Sequence, residues 1–149
     1  MSMTLFEALR ADHALQRGLI RELATTRADS PRRALLWEQL KDELCAHARA
    51  EERHLYVPLT AHESAAAQAR HNIAEHHELD QLVADLDSTN MGSETWLERA
   101  RYLFARVERH LQHEEDEIFA LAARVLGDRD RFRYAEGYIE AMREERHAA

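Results

Sequence analysis

His13, His47, Glu51 and Glu52 recur 63 residues further along the chain, in the same order, as His76, His110, Glu114 and Glu115. The surroundings repeat as well. Leu19-Ile20-Arg21-Glu22-Leu23 matches Leu82-Val83-Ala84-Asp85-Leu86, and Leu55-Tyr56 matches Ile118-Phe119. Self-similarity at a fixed period means two copies of one supersecondary unit. Each copy reads as a helical hairpin with one His on its first helix and H-x3-E-E on its second.

Local signals place the helices. Thr4 with Glu7 is a capping-box signature, and Phe6, Leu9, His13, Ile20 and Leu23 follow at helical spacing. Ser30 before Pro31 opens a second helix with proline where its missing N–H costs nothing. Trp37, Leu40, Leu44, His47, Glu51 and Leu55 form its inner row, and Pro58 predicts an end by Val57. Thr60 and Glu63 form another capping-box signature ahead of a third helix carrying Asn72, His76, Leu79, Val83 and Leu86. Ser93 is the expected cap of the fourth, which carries Trp96, Leu103, Val107, His110, Glu114 and Ile118, with Gly127 just beyond its end. Short connections between such segments predict an all-α, up-down-up-down four-helix bundle over about residues 4–126. The tail, 127–149, reads as a short packing helix or a frayed end carrying Phe132, Tyr134, Tyr138 and Met142. The whole chain, 1–149, is expected to be one domain.

Composition agrees. Four Gly and two Pro in 149 residues, with 45% hydrophobic and 32% charged side chains, favour long helices over an all-β or disordered chain. A formal charge of -8 without a basic tract argues against a nucleic-acid partner. One cysteine, Cys45, excludes an internal disulfide and a thiolate metal cluster. No run reaches the roughly 18 apolar residues of a membrane span, and charge comes too early for a signal peptide, so a cytoplasmic location is expected.

The ten histidines divide by helical phase. His76 is in step with Leu79, Val83 and Leu86, whereas His77 is rotated by about 100° from the 3.6-residue period. His13, His47, His76, His110, Glu51 and Glu114 all fall on inner rows. His54, His62, His77, His113 and His147 read as surface residues; His71 sits off the inner row, and whether it reaches a metal stays open. Burying two carboxylates and four imidazoles uncompensated would cost several kcal/mol per ion. A bound cation removes that cost. The donor set lacks thiolate, which favours Fe or Mn and leaves Zn and Ni open. Tyr56 reads either as a site-lining group or as packing. Glu115 is an alternative to Glu114, a supporting acid or a solvated one.

With Asp12-His13, His47-x3-Glu51-Glu52 leading to Leu55-Tyr56 and Pro58, Glu75-His76, and His110-x3-Glu114-Glu115 leading to Ile118-Phe119, the chain resembles the hemerythrin-like HHE cation-binding family over about residues 4–125. The resemblance implies two iron ions bridged by two carboxylates and an oxo or hydroxo group, with Mn or Zn less favoured. His13, His47, His76 and His110 would be terminal ligands, and Glu51 and Glu114 the bridges. The chain departs from the oxygen-carrying members, whose third helix has H-x3-H and whose fourth has H-x4-D. Here Asn72 takes the first of those histidine positions, and Glu115 the aspartate position. That moves the expectation from reversible oxygen carriage towards iron or oxygen sensing, peroxide chemistry and nitric-oxide responses. The expected function is binding of, or reaction with, dioxygen, peroxide or NO beside an apolar cavity formed by Leu9, Leu40, Leu79, Val83, Leu103 and Val107. The alternative is an iron or oxygen sensor or an iron store without turnover. Peroxide decomposition is the first reaction to test; protein partners and oligomeric state stay open.

Overall fold

The computed structural model describes residues 2–148. Five helices and no strands are found among them. α1 is Leu5–Ala24. α2 runs Pro31–Glu51, passes through a π-turn at Glu52–Tyr56 and continues as Val57–Leu59. α3 is Glu63–Asp87. α4 runs Glu94–His113, has its own π-turn at Glu114–Ile118 and continues as Phe119–Val125. α5 is Asp128–Ala148. Among the described residues, no helix is long and apolar enough to cross a membrane.

Three of the sequence's start signals act as caps. Thr4 and Glu7 form a reciprocal capping box. The Ser30 side chain accepts from the Arg32 N–H at 3.1 Å, and that of Ser93 from the Trp96 N–H at 3.2 Å. These contacts satisfy N–H groups left over in the first turn.

Three expectations need correction. The second helix does not stop at Val57 but continues through Pro58 to Leu59. Pro58 follows directly on the π-turn, where the Val57 N–H already reaches back to Glu52 rather than to the residue four before it. The regular ladder that a proline would break is therefore already interrupted. Thr60 consequently sits at the end of this helix and does not cap the next. Its hydroxyl donates to the Val57 carbonyl at 2.6 Å, and His62 takes the cap position of α3 without a side-chain bond. The tail forms a helix, but not a short one: α5 has 21 residues and packs on α1 and α2.

The apolar interior comes in two blocks. One contains Leu5, Leu9, Leu55, Ile118, Phe119 and, from α5, Tyr138 and Met142. The other contains Leu23, Trp37, Leu40, Leu86, Trp96 and Leu103. Between them lie His13, His47, Glu51, His76, His110 and Glu114, all buried. A polar layer here interrupts what would otherwise be one continuous core.

Arg33 ties down the end of the bundle away from α5. Its buried guanidinium donates to the Thr26 hydroxyl, the Thr26 carbonyl and the Met91 carbonyl, and lies 4.8 Å over the Trp96 ring. Arg33→Ala leaves those loop carbonyls short of a donor. The expected cost is about 2–3 kcal/mol in denaturant unfolding, with no change in metal content, because the polar layer is not touched.

Candidate metal centre

The six inner-row residues converge from four helices. His13 comes from α1, His47 and Glu51 from α2, His76 from α3, and His110 and Glu114 from α4. They form two adjacent groups: His13, His47, Glu51 and Glu114, and Glu51, His76, His110 and Glu114. Glu51 and Glu114 belong to both.

The carboxylates are placed to serve both groups at once. Glu51 Oε2 lies 3.1 Å from His47 Nε2 and 4.0 Å from His13 Nε2. Its Oε1 lies 3.1 Å from His76 Nε2 and 4.0 Å from His110 Nε2. Glu114 presents Oε1 to His13 Nε2 at 3.0 Å and Oε2 to His110 Nε2 at 3.5 Å. His13 Nε2, His47 Nε2, both Glu51 oxygens and Glu114 Oε1 are nonetheless buried without a hydrogen bond, because close approach is not matched by alignment. Buried polar atoms left unmet in this way are costly. Six such side chains converging on one point fit a cation between them, and the two groups are consistent with a binuclear metal site.

The opposite nitrogens are held from behind. His13 Nδ1 faces Glu115 Oε2 at 3.2 Å, and His76 Nδ1 faces Glu52 Oε1 at 3.2 Å. His110 Nδ1 bonds to Glu75. His47 Nδ1 meets the Tyr138 hydroxyl at 2.7 Å. Acceptors at Nδ1 favour the tautomer that carries its proton there and leaves Nε2 free to face the interior.

The repeat explains most of this support. In each H-x3-E-E motif the first Glu points into the cluster, and the second crosses to the lone His of the other hairpin. Glu115 thus belongs to the supporting set. Asp12 is the repeat counterpart of Glu75, yet it does not meet His47 directly. Tyr138 from α5 stands between them, donating to Asp12 Oδ2 at 2.6 Å while its oxygen accepts from His47. Arg146 holds the other Asp12 oxygen at 2.9 Å. α5 approaches α2 closely here: a Cβ at Gly137 would lie 2.7 Å from His54 Nδ1.

A second asymmetry lies at Tyr56. Its repeat counterpart is Phe119, and that of Asn72 is Leu9. The Tyr56 hydroxyl bonds to Glu114 and accepts from Asn72 Nδ2 at 2.9 Å; the Asn72 oxygen accepts from Gln68 Nε2 at 3.0 Å. Tyr56 therefore touches the cluster while packing in the core. Burial and the neighbouring Glu114 push its hydroxyl well above the usual range, so it keeps its proton. His71 and His77 are exposed and lie outside the cluster, as does His147. His54, His62 and His113 are half-buried and also lie outside it.

Protonation follows from crowding. Burial alone would lower His13, but Glu114 and Glu51 outweigh it and raise its pKa to about 10. Burial likewise opposes, and Glu51 and Glu52 overcome it, in raising His76 to about 9. Glu51 is held well below the carboxylate range by the imidazoles despite its burial. Without metal, His13 and His76 carry their protons at neutral pH. A histidine with a raised folded-state pKa adds stability below its unfolded value of about 6.5, and that gain disappears as pH rises through the folded value. The Glu51 contribution is present above about 4.5 and is lost as pH falls. The metal-free protein is therefore expected to lose thermal stability between pH 7 and 10.5, read by circular dichroism. A flat or rising melting temperature over that range would contradict these assignments. Metal has to displace the same protons, so its binding at pH 7 releases protons into the buffer.

A family model described as Hemerythrin HHE cation binding domain matches residues 4–122. A crystal structure of a hemerythrin HHE cation binding domain-containing protein from Mycobacterium kansasii is similar at a TM-score of 0.89 and 22% sequence identity. The match covers 98% of this chain and 89% of that one. At that identity the likeness is one of fold. No curated protein matches the chain.

Proposed function

We propose, from the premise that the chain belongs to the hemerythrin HHE cation-binding domain family, that it is a non-heme di-iron protein whose buried centre binds or reacts with dioxygen, peroxide or NO. The observation that carries this reading is the sharing of the carboxylates. Glu51 and Glu114 each offer one oxygen to the His13/His47 group and the other to the His76/His110 group. Such an arrangement suits two cations side by side. Four imidazoles and two carboxylates without thiolate favour iron or manganese, with zinc less favoured.

Iron, when bound, supplies the redox change and the attraction for a small oxidant. The chain supplies the rest. Glu115, Glu52, Glu75 and Tyr138 fix the four ring orientations. The two apolar blocks exclude bulk water from both sides of the polar layer. Tyr56 holds a proton against Glu114, with Asn72 orienting its oxygen. Asn72 thus supports a phenol where the oxygen carriers place an imidazole.

Peroxide is the substrate to test first. The iron-loaded protein is expected to evolve oxygen from many equivalents of hydrogen peroxide per chain. Full iron loading without turnover, together with a large loss of helix when iron is removed, would favour the sensor or storage reading. A protein that takes up no metal at all would exclude both.

A further inference from the structure

Gln16 is the one residue of α1 that the cluster leaves unexplained. It lies one turn beyond His13 and is fully buried, and among the described residues neither its Oε1 nor its Nε2 has a hydrogen-bond partner. Its counterpart in the other half of the repeat is Leu79. An amide left unpaired inside an apolar core is a standing cost that leucine would avoid.

The amide borders a cavity of about 30 Å³, shared with His47, His76 and His110 on its polar side and with Leu79, Val83 and Val107 on its apolar side. Of the leucines and valines expected around the site, only those last three line it. Leu9 lies in the block on the α5 side, and Leu40 and Leu103 pack deeper in the other block. A space of this size exceeds the roughly 10–15 Å³ that a water needs. It suits a molecule of two or three heavy atoms. The cavity lies on the side of the cluster away from Tyr56 and Asn72, which belong to the α5 end.

We infer that Gln16 is the ligand-selecting residue of this cavity: its side-chain amide donates to a small oxidant or anion held beside His47, His76 and His110. The inference rests on the metal-centre reading and adds to it the group that recognises the ligand. Apart from the cluster histidines and Asp80, which is exposed to solvent, the walls are apolar, so this amide is the side chain on the cavity that offers a hydrogen bond without already serving the cluster or facing solvent. A two- or three-atom ligand with an acceptor atom would be favoured over an equally small apolar one.

Azide is a suitable probe, with the iron-loaded full-length protein titrated by absorption. Gln16→Leu copies the repeat partner and keeps the volume close. It is expected to retain the wild-type metal content, to weaken azide binding by about 5–10-fold through loss of one hydrogen bond, and to raise the metal-free melting temperature by about 2 °C or more. Azide affinity equal to wild type in a fully loaded variant would overturn the inference alone. Loss of metal from Gln16→Leu would also overturn it, because Gln16 would then support the cluster rather than the ligand. A wild-type protein that takes up no metal would overturn the underlying reading instead, and the inference with it.

Discussion

Glu51→Ala is expected to abolish binding at both metal positions, not at one. Its two oxygens lie 3.1 Å from His47 and 3.1 Å from His76, on opposite sides of the shared centre. Removing the carboxylate also leaves Glu114 as the one acid between the two His groups, so a cation loses charge as well as donors. Metal content per chain should fall from two ions to fewer than one, measured after reconstitution and removal of unbound metal. Glu114→Ala should behave alike, because it too faces both groups. His77→Ala, one residue along from a cluster histidine but exposed, should keep both ions. If His77→Ala emptied the site and His76→Ala did not, the helical phase would be misassigned. Circular dichroism of each variant separates loss of metal from loss of fold.

Tyr138→Phe carries the second large effect. The substitution keeps the ring in the core and removes only the hydroxyl that joins His47 to Asp12. Supporting groups of this kind typically contribute about 10–100-fold in metal affinity. Because His47 belongs to only one of the two groups, the loss should fall on one step of a two-step metal titration. The step that depends on His76 and His110 should be spared, since Glu52 and Glu75 support those rings without α5. Tyr138→Ala adds the cavity of a lost aromatic side chain, about 3–5 kcal/mol, and is expected to lower the melting temperature as well. Equal weakening of both steps by Tyr138→Phe would mean that α5 acts on the bundle as a whole. No weakening would mean that Asp12 reaches His47 unaided.

The contrast between these two variants shows what the sequence could carry. Glu51 and Glu114 were legible because they repeat and because each sits four residues after a histidine, on the face that also bears leucines. Phase separated His76 from His77 for the same reason. Tyr138 had no such signal: α5 has no counterpart in the repeat, and periodicity within one helix does not say which neighbour it will meet. The crossing of Glu52 to His76 and of Glu115 to His13 is likewise a contact between helices. It appears only when the hairpins are assembled. The π-turns were hidden too. Leu55 and Tyr56 are consecutive and both fully buried, as are Ile118 and Phe119 nearly so. An extra residue in the turn lets both members of each pair face inward. At a strict 3.6 period the two members of each pair are rotated by about 100° from each other, so the spacing does not reveal that both face inward. Gln16 gives no signal in the sequence, because a single glutamine on an inner row carries no motif. Its meaning depends on finding no partner for it.

Metal counting on the wild-type chain decides whether the two His/Glu groups hold two cations. After anaerobic reconstitution with ferrous iron and removal of the unbound excess, two ions per chain are expected, one for each His/Glu group. One ion per chain at saturation, or none, would contradict a centre built on two shared carboxylates.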